Sequence, residues 1–185
     1  MPRAMLSAAA LVLGVALGAA ATAYGPSLLR HAAQPYVGQE GQAISSLSAA
    51  DVAALEAGEG WGLAKPAELN DHPGPAHVIE LADDLDLSAD QRTRIDAAFA
   101  AMRGAAQEAG RALIAAERAL DRGFERGDLD RTALRELLAQ AEAARARLRE
   151  VHLAAHLDIT PVLSREQRER YATLRGYDGD RHGGH

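Results

Sequence analysis

One spacing governs what this chain can become. Apolar side chains recur at 95, 99, 102, 106, 109, 113, 116 and 120 in alternating steps of four and three, with no proline before Gly127. Residues three or four apart on an α-helix share a face, so the pattern marks a seam along one long helix that another helix must cover. The pattern resumes at 134, 137, 141, 144, 148, 151 and 155. Gly123, Gly127 and Asp128 mark a turn between the two seams, and Asp130 is placed to cap the second helix. Two long seams joined by a short turn run antiparallel and bury each other. The expected fold is all-α, a long antiparallel helical hairpin with short flanking helices.

Composition agrees with that fold and excludes several others. The 185 residues include 42 alanines and 19 arginines against one lysine, with no cysteine. Such a chain favours packed helices and has few of the β-branched and aromatic residues that strands prefer. Without cysteine there is no disulfide, thiolate metal site or cysteine nucleophile. A net charge of −6 excludes the basic footprint of a nucleic-acid binder. Alanine-lined seams allow close helix approach, and a homodimer is expected from them.

The N-terminus reads as a targeting segment. Arg3 is the only charge before Arg30, and the most apolar part, Met5 to Ala21, leads into Ala21-Thr22-Ala23. A basic start, a short apolar run and a small-x-small exit define a secretory signal peptide over residues 1–23. The alternative is an uncleaved inner-membrane anchor, because about 20 apolar residues can span a bilayer. Either way the remainder is expected outside the cytoplasm, where loss of Arg3 leaves 19 basic against 26 acidic residues.

Residues 24–75 are expected to be irregular, with one short helix capped by Ser48 and running through Leu55. Asp51 completes a weak capping box there, and glycines 58, 60 and 62 follow. Pro73 and Pro75 prevent helix continuation, so the helical-hairpin domain spans 76–176. Within it, His77 to Leu85 forms about two turns with Val78, Leu81, Ala82 and Leu85 on one stripe. Ser88-Ala89-Asp90-Gln91 opens the first long helix as a capping box. Pro161 ends or kinks the second, and Ser164-Arg165-Glu166-Gln167 opens a last helix to about Arg175. Residues 177–185 are expected to be a disordered, histidine-containing tail. Trp61 is expected to anchor the N-terminal segment on the bundle, and the acidic group Asp83, Asp84, Asp86 and Asp90 to serve a helix start.

The histidines carry the strongest chemical signal. His152 and His156 are four apart on a helix, so both imidazoles project from one face and can share an ion. They sit beside the apolar stripe. No glutamate follows His152, which removes support for a hydrolytic zinc motif. Two imidazoles leave a divalent ion needing further ligands from another segment. His77 is the best candidate, with Glu80, Asp83, Asp84 and Glu150 as further possibilities. His182 and His185 in the tail form a second, looser metal-binding element. Any such ion is a divalent transition metal, zinc, nickel, cobalt or copper, and no organic cofactor is implied. No phosphate loop, nucleophile elbow or activated hydroxyl motif is present, so the chain reads as a non-enzyme.

Two units repeat: Leu87-Ser88-Ala89-Asp90-Gln91 and Leu163-Ser164-Arg165-Glu166-Gln167. As physics they are helix caps. As a pair on a cysteine-free helical hairpin they resemble the LTxxQ-motif superfamily of bacterial envelopes, which includes Spy/CpxP-type chaperones, zinc-resistance-associated proteins and heavy-metal sensors. The likeness covers roughly residues 76–177, with serine in place of the usual threonine. Val151-His152-Leu153-Ala154-Ala155-His156 is similar to the segment where nickel- and cobalt-sensing members place two ligands. Here His156 stands where a methionine is common. Those members also draw ligands from the helix before the first motif, where this chain has only His77, with Leu81 one turn on. Phe99 stands about where a glutamate is expected, and Asp96 is the nearest acid. The resemblance implies a periplasmic, non-enzymatic metal-binding sensor or resistance protein that signals to a membrane-bound partner. Its alternative is an ATP-independent chaperone for unfolded clients in envelope stress. The acidic balance counts against a basic client-holding face, although Arg145, Arg147 and Arg149 form a local patch.

Overall fold

The computed structural model describes residues 35–177. The signal segment 1–23 and the tail histidines His182 and His185 lie outside the described residues. The chain divides after Gly41. In the short stretch before that point, a turn is closed by Gln39 N–H donating to the Tyr36 carbonyl at 3.1 Å. Everything below concerns the unit that begins at Gln42.

The elements are α1 (Ala49–Ala57), α2 (Lys65–Glu68), α3 (Pro75–Glu80), α4 (Ala89–Arg126), α5 (Arg131–Ile159), a 3-10 turn (Thr160–Val162) and α6 (Arg165–Leu174). There is no strand among the described residues; one isolated bridge pairs Ile44 with Leu47. The long helices α4 and α5 pack on each other as the expected hairpin. No seam position is exposed, and Ile95, Ala106, Ala109, Leu113, Ala141, Leu148, Val151 and Ala155 are buried. Gly127 ends α4 in the left-handed conformation at φ 70°, and Asp130 caps α5 by accepting from the amides of Thr132 and Ala133 at 2.8 Å.

Local expectations held where the signal was a cap and failed where it was a glycine or a weak period. Ser48, Ser88 and Ser164 each form a full capping box. Gly123, read as part of the turn, instead lies inside α4 and is buried. A Cβ there would come within 3.2 Å of the side chains of Leu129 and Leu137, so its role is close packing under the turn. The first short helix of the hairpin domain is regular only from Pro75 to Glu80. It continues as turns to Asp86, which still bury Val78, Ala82 and Leu85.

Residues 42–74, before the hairpin, pack across it as a strap. Besides α1 it carries α2, where Pro66 sits at the helix start. Its contacts create a second buried stripe on the hairpin, beside the seam: Gly110, Ile114 and Glu117 on α4, His152 and His156 on α5. Gly110 is required, because a Cβ there would stand 2.4 Å from the Leu55 carbonyl oxygen. Trp61 fixes the strap by donating Nε1–H to Asp51 at 2.8 Å, while the Arg145 guanidinium stacks 5.2 Å from its ring. Buried Glu117 receives Ser46 at 2.8 Å and Arg145 at 3.3 Å.

The repeated motifs meet. Gln91 Nε2 donates to Gln167 Oε1 at 2.8 Å, and Gln167 Nε2 donates back to Gln91 Oε1 at 3.1 Å. Each amide oxygen also accepts from its own cap, Ser88 N at 3.0 Å and Ser164 N at 2.9 Å. Each amide nitrogen reaches a carbonyl across the junction, Val162 and Leu85 respectively. Gln91→Ala and Gln167→Ala should each cost about 1–2 kcal/mol in urea unfolding. The double variant should fall short of additivity by at least about 0.5 kcal/mol, because both singles remove the same amide pair.

Candidate metal and ligand site

Two buried clusters form the core. One, around Leu55, Ala106, Leu113 and Leu148, lies toward the turn; the other, around Val78, Ile95, Ile159 and Tyr171, lies at the open end. Between them the strap bridges a cavity of about 710 Å³. Its lining includes Trp61, Leu69, Phe99 and Met102 together with His77, His152 and His156. Three of the five sequence-predicted ligands thus face one space, and Phe99 supplies apolar wall there.

Their chemical states differ. His152 and His156 are both buried, on the inner face of α5. His156 donates Nδ1–H to the His72 carbonyl at 2.7 Å, which leaves Nε2 as the ring's lone-pair nitrogen. His152 is held below the ordinary imidazole range, first by burial and then by its electrostatic interaction with His156, with a hydrogen bond to the Glu59 backbone working the other way. Its Nε2 is buried without a hydrogen-bond partner. His77 is committed differently: Nδ1 lies 3.5 Å from Glu68 and Nε2 faces Arg175 at 3.4 Å.

Glu68 is the residue that sequence reasoning missed. Its Oε1 receives the hydroxyls of Tyr171, by a short bond, and Tyr177 at 3.2 Å, with Arg175 Nε at 3.7 Å. Its Oε2 takes the Gly74 amide at 3.2 Å and lies 3.8 Å from His156 Nδ1. Burial, then Glu68, pushes the Tyr171 phenol far up, so it stays an O–H donor. One carboxylate therefore ties the strap to α5 and to the end of α6. Its only sequence signal was an acid two residues after Pro66. The carboxylates considered from sequence are elsewhere: Glu80 and Asp84 are exposed, Asp83 pairs with Arg92 at 2.7 Å, and Glu150 pairs with Arg147 at 2.9 Å.

As donors, two imidazoles suit a borderline transition metal, and a ring N–H held by a backbone carbonyl, as in His156, is the usual support for a ligating histidine. Among the described residues no three His, Asp or Glu side chains are set to hold one ion. The fit is that of a histidine pair.

Residues 62–170 match the model of the heavy-metal resistance family, and the chain belongs to that family, the LTxxQ-motif, Spy/CpxP-like proteins. No curated protein and no solved structure matches the chain.

The lowered His152 value sets a pH dependence. As pH falls below the ordinary imidazole value of 6.5, the unfolded chain takes up a proton that folded His152 resists. This contribution is full above that pH and is lost as pH falls toward the lowered folded value. Its slope is at most about 1.4 kcal/mol per pH unit. Urea unfolding from neutral to acidic pH should show the decline, and His152→Leu should make it shallower.

Proposed function

We propose that the protein is a periplasmic, non-enzymatic metal-binding sensor or resistance protein that holds a divalent transition ion, zinc, nickel, cobalt or copper, through His152 and His156. The observation that carries this reading is the His152 Nε2, buried without a partner one helical turn from the Nε2 of His156. A buried polar atom left unpaired costs about 1–3 kcal/mol, and ligation relieves that cost. When bound, the ion supplies a local positive charge and a fixed link between the two rings.

The chain's own residues do the rest. The His72 carbonyl fixes the tautomer of His156, and burial keeps His152 deprotonated and ready to ligate. A further ligand comes from His77, if it exchanges Arg175 and Glu68 for the ion, and His182 and His185 form a second, looser metal-binding element. Because Glu68 joins the strap to His77 and lies beside His156, ligation changes how firmly the strap is held. A membrane-bound partner would read that difference in a homodimeric hairpin.

The alternative reading, an ATP-independent chaperone, draws on Phe124 and Leu138, both exposed near the hairpin turn. Calorimetric titration with the four metals, beside a His152→Ala/His156→Ala variant, separates the readings. Micromolar or tighter binding that disappears in the variant is expected. Binding that survives in the variant and vanishes only on removal of residues 178–185 would overturn the histidine-pair site. Suppression of client aggregation by metal-free protein, retained in the variant, would favour the chaperone.

A further inference from the structure

Apart from its histidines the cavity is mainly apolar. Trp61, Leu69, Phe99 and Met102 are among the side chains that line it, and its volume of about 710 Å³ is within the range of small-molecule sites. The imidazoles of α5 offer this space little: His152 Nε2 is buried away from solvent, and His156 Nδ1 is bonded to the His72 carbonyl. The charged side chains on the lining, histidines aside, are Glu59, Lys65, Glu68 and Arg103.

Glu68 is fully engaged. Its oxygens take the hydroxyls of Tyr171 and Tyr177 and the Gly74 amide, and Arg175 stands beside it as counter-charge. The two cations are not engaged in this way. Lys65 is exposed at the start of α2, and its ammonium has no hydrogen bond or ion pair among the described residues. Arg103 is exposed on α4, where its stem lies close to Gly58 and its Nε–H donates to the Ala57 carbonyl at 3.2 Å. That bond orients the guanidinium and leaves its two terminal nitrogens without a partner among the described residues. Both cations line the cavity and are exposed, which places them at its rim. Against them stands the single exposed carboxylate of Glu59.

We propose that the cavity binds a single-chain fatty carboxylate, its alkyl chain against Trp61, Phe99 and Met102 and its headgroup held at the rim by Lys65 and Arg103. An alkyl chain suits an irregular apolar wall, and Met102 adjusts to it because its own side chain is unbranched. A carboxylate accepts paired N–H bonds from a guanidinium and is attracted to an ammonium as a point charge. A cationic headgroup on the same chain would meet like charge at the rim. It would also find Trp61 and Tyr177 already opposed by Arg145 and Arg175, at 5.2 and 5.8 Å from the ring centres. The proposal goes beyond the metal reading and uses none of its histidines, so its test is made with chelator present.

Trp61 is the chain's only tryptophan and lines the cavity, so a bromine brought against it quenches the protein's indole emission. Chelator-treated protein is titrated at low ionic strength with three probes that share one tail: ω-bromooctanoate, ω-bromooctanol and ω-bromooctyl-trimethylammonium. All are kept below the concentrations at which they form micelles. An apolar enclosure alone prefers the alcohol, which leaves water more readily than the carboxylate. The carboxylate should nonetheless quench saturably and bind roughly fivefold more tightly than the alcohol, with the ammonium weakest of the three. Lys65→Gln/Arg103→Gln, both at exposed positions and checked by thermal unfolding, should reverse the order and put the alcohol ahead. An alcohol that binds as tightly as the carboxylate to the unsubstituted protein would overturn the proposal. So would the absence of saturable quenching by the carboxylate, or survival of its preference in the double variant. Because no metal is present and the histidines are intact, none of these outcomes depends on whether the protein binds metal.

Discussion

The reciprocal amide pair of Gln91 and Gln167 is the contact on which the open end of the hairpin depends. At the other end the chain itself joins α4 to α5 through a short turn. Where α4 begins and α5 gives way to α6, no such link exists, and two helix starts converge with unpaired backbone donors. Each glutamine satisfies its own cap and still has an amide nitrogen to spare. The spare donors are spent on each other's oxygens and on the carbonyls of Val162 and Leu85. A threonine or serine cap alone would start each helix without fixing the distance between them. The glutamine at the third helical position does both, which is why the unit occurs twice and at both sides of one junction.

With the junction fixed, the position of the strap follows. Tyr171 of α6 is buried against the open-end cluster and presents its hydroxyl to Glu68, while Arg175 and Tyr177 approach the same carboxylate. At the other end of the strap Leu55 lies against Gly110, and Trp61 is held between Asp51 and Arg145. The strap is therefore clamped at two places with the cavity between them. In its middle Gly58 lets the backbone approach α4 at Arg103, and Trp61, between Gly60 and Gly62, lines the cavity.

The hairpin was legible in the sequence because its physics is local. Seam positions repeat within a turn or two, and a cap is complete within four residues, so Ile95 through Ala155 and the three serine boxes could be placed without tertiary information. The histidine pair was legible for the same reason: four residues apart on a helix means one face. The second buried stripe was not legible, since it exists only through contacts such as Leu55 with Gly110 and Glu68 with Tyr171, far apart in the chain. Gly123 misled because glycine is read as a turn signal, whereas between Leu129 and Leu137 its lack of a side chain serves packing. Glu68 had no period, motif or neighbour to mark it. The helix after Pro75 was overextended because Leu81 and Leu85 keep helical spacing while the backbone between them has already left the helix.

The site can be understood from what the strap imposes on α5. A histidine pair on a solvent-exposed face would be hydrated, would titrate at the ordinary imidazole value and would be unremarkable as a donor set. Covered by residues 57–77, the same pair is dehydrated; His152 is pushed toward its neutral form, and the backbone carbonyl of His72 selects the tautomer of His156. Burial thus leaves His152 Nε2 without a hydrogen-bond partner. The hydrophobic contacts that hold the strap in place carry the cost of the unpaired Nε2. An ion held by that nitrogen would be stabilised by the same deficit and would in turn stabilise the packed strap.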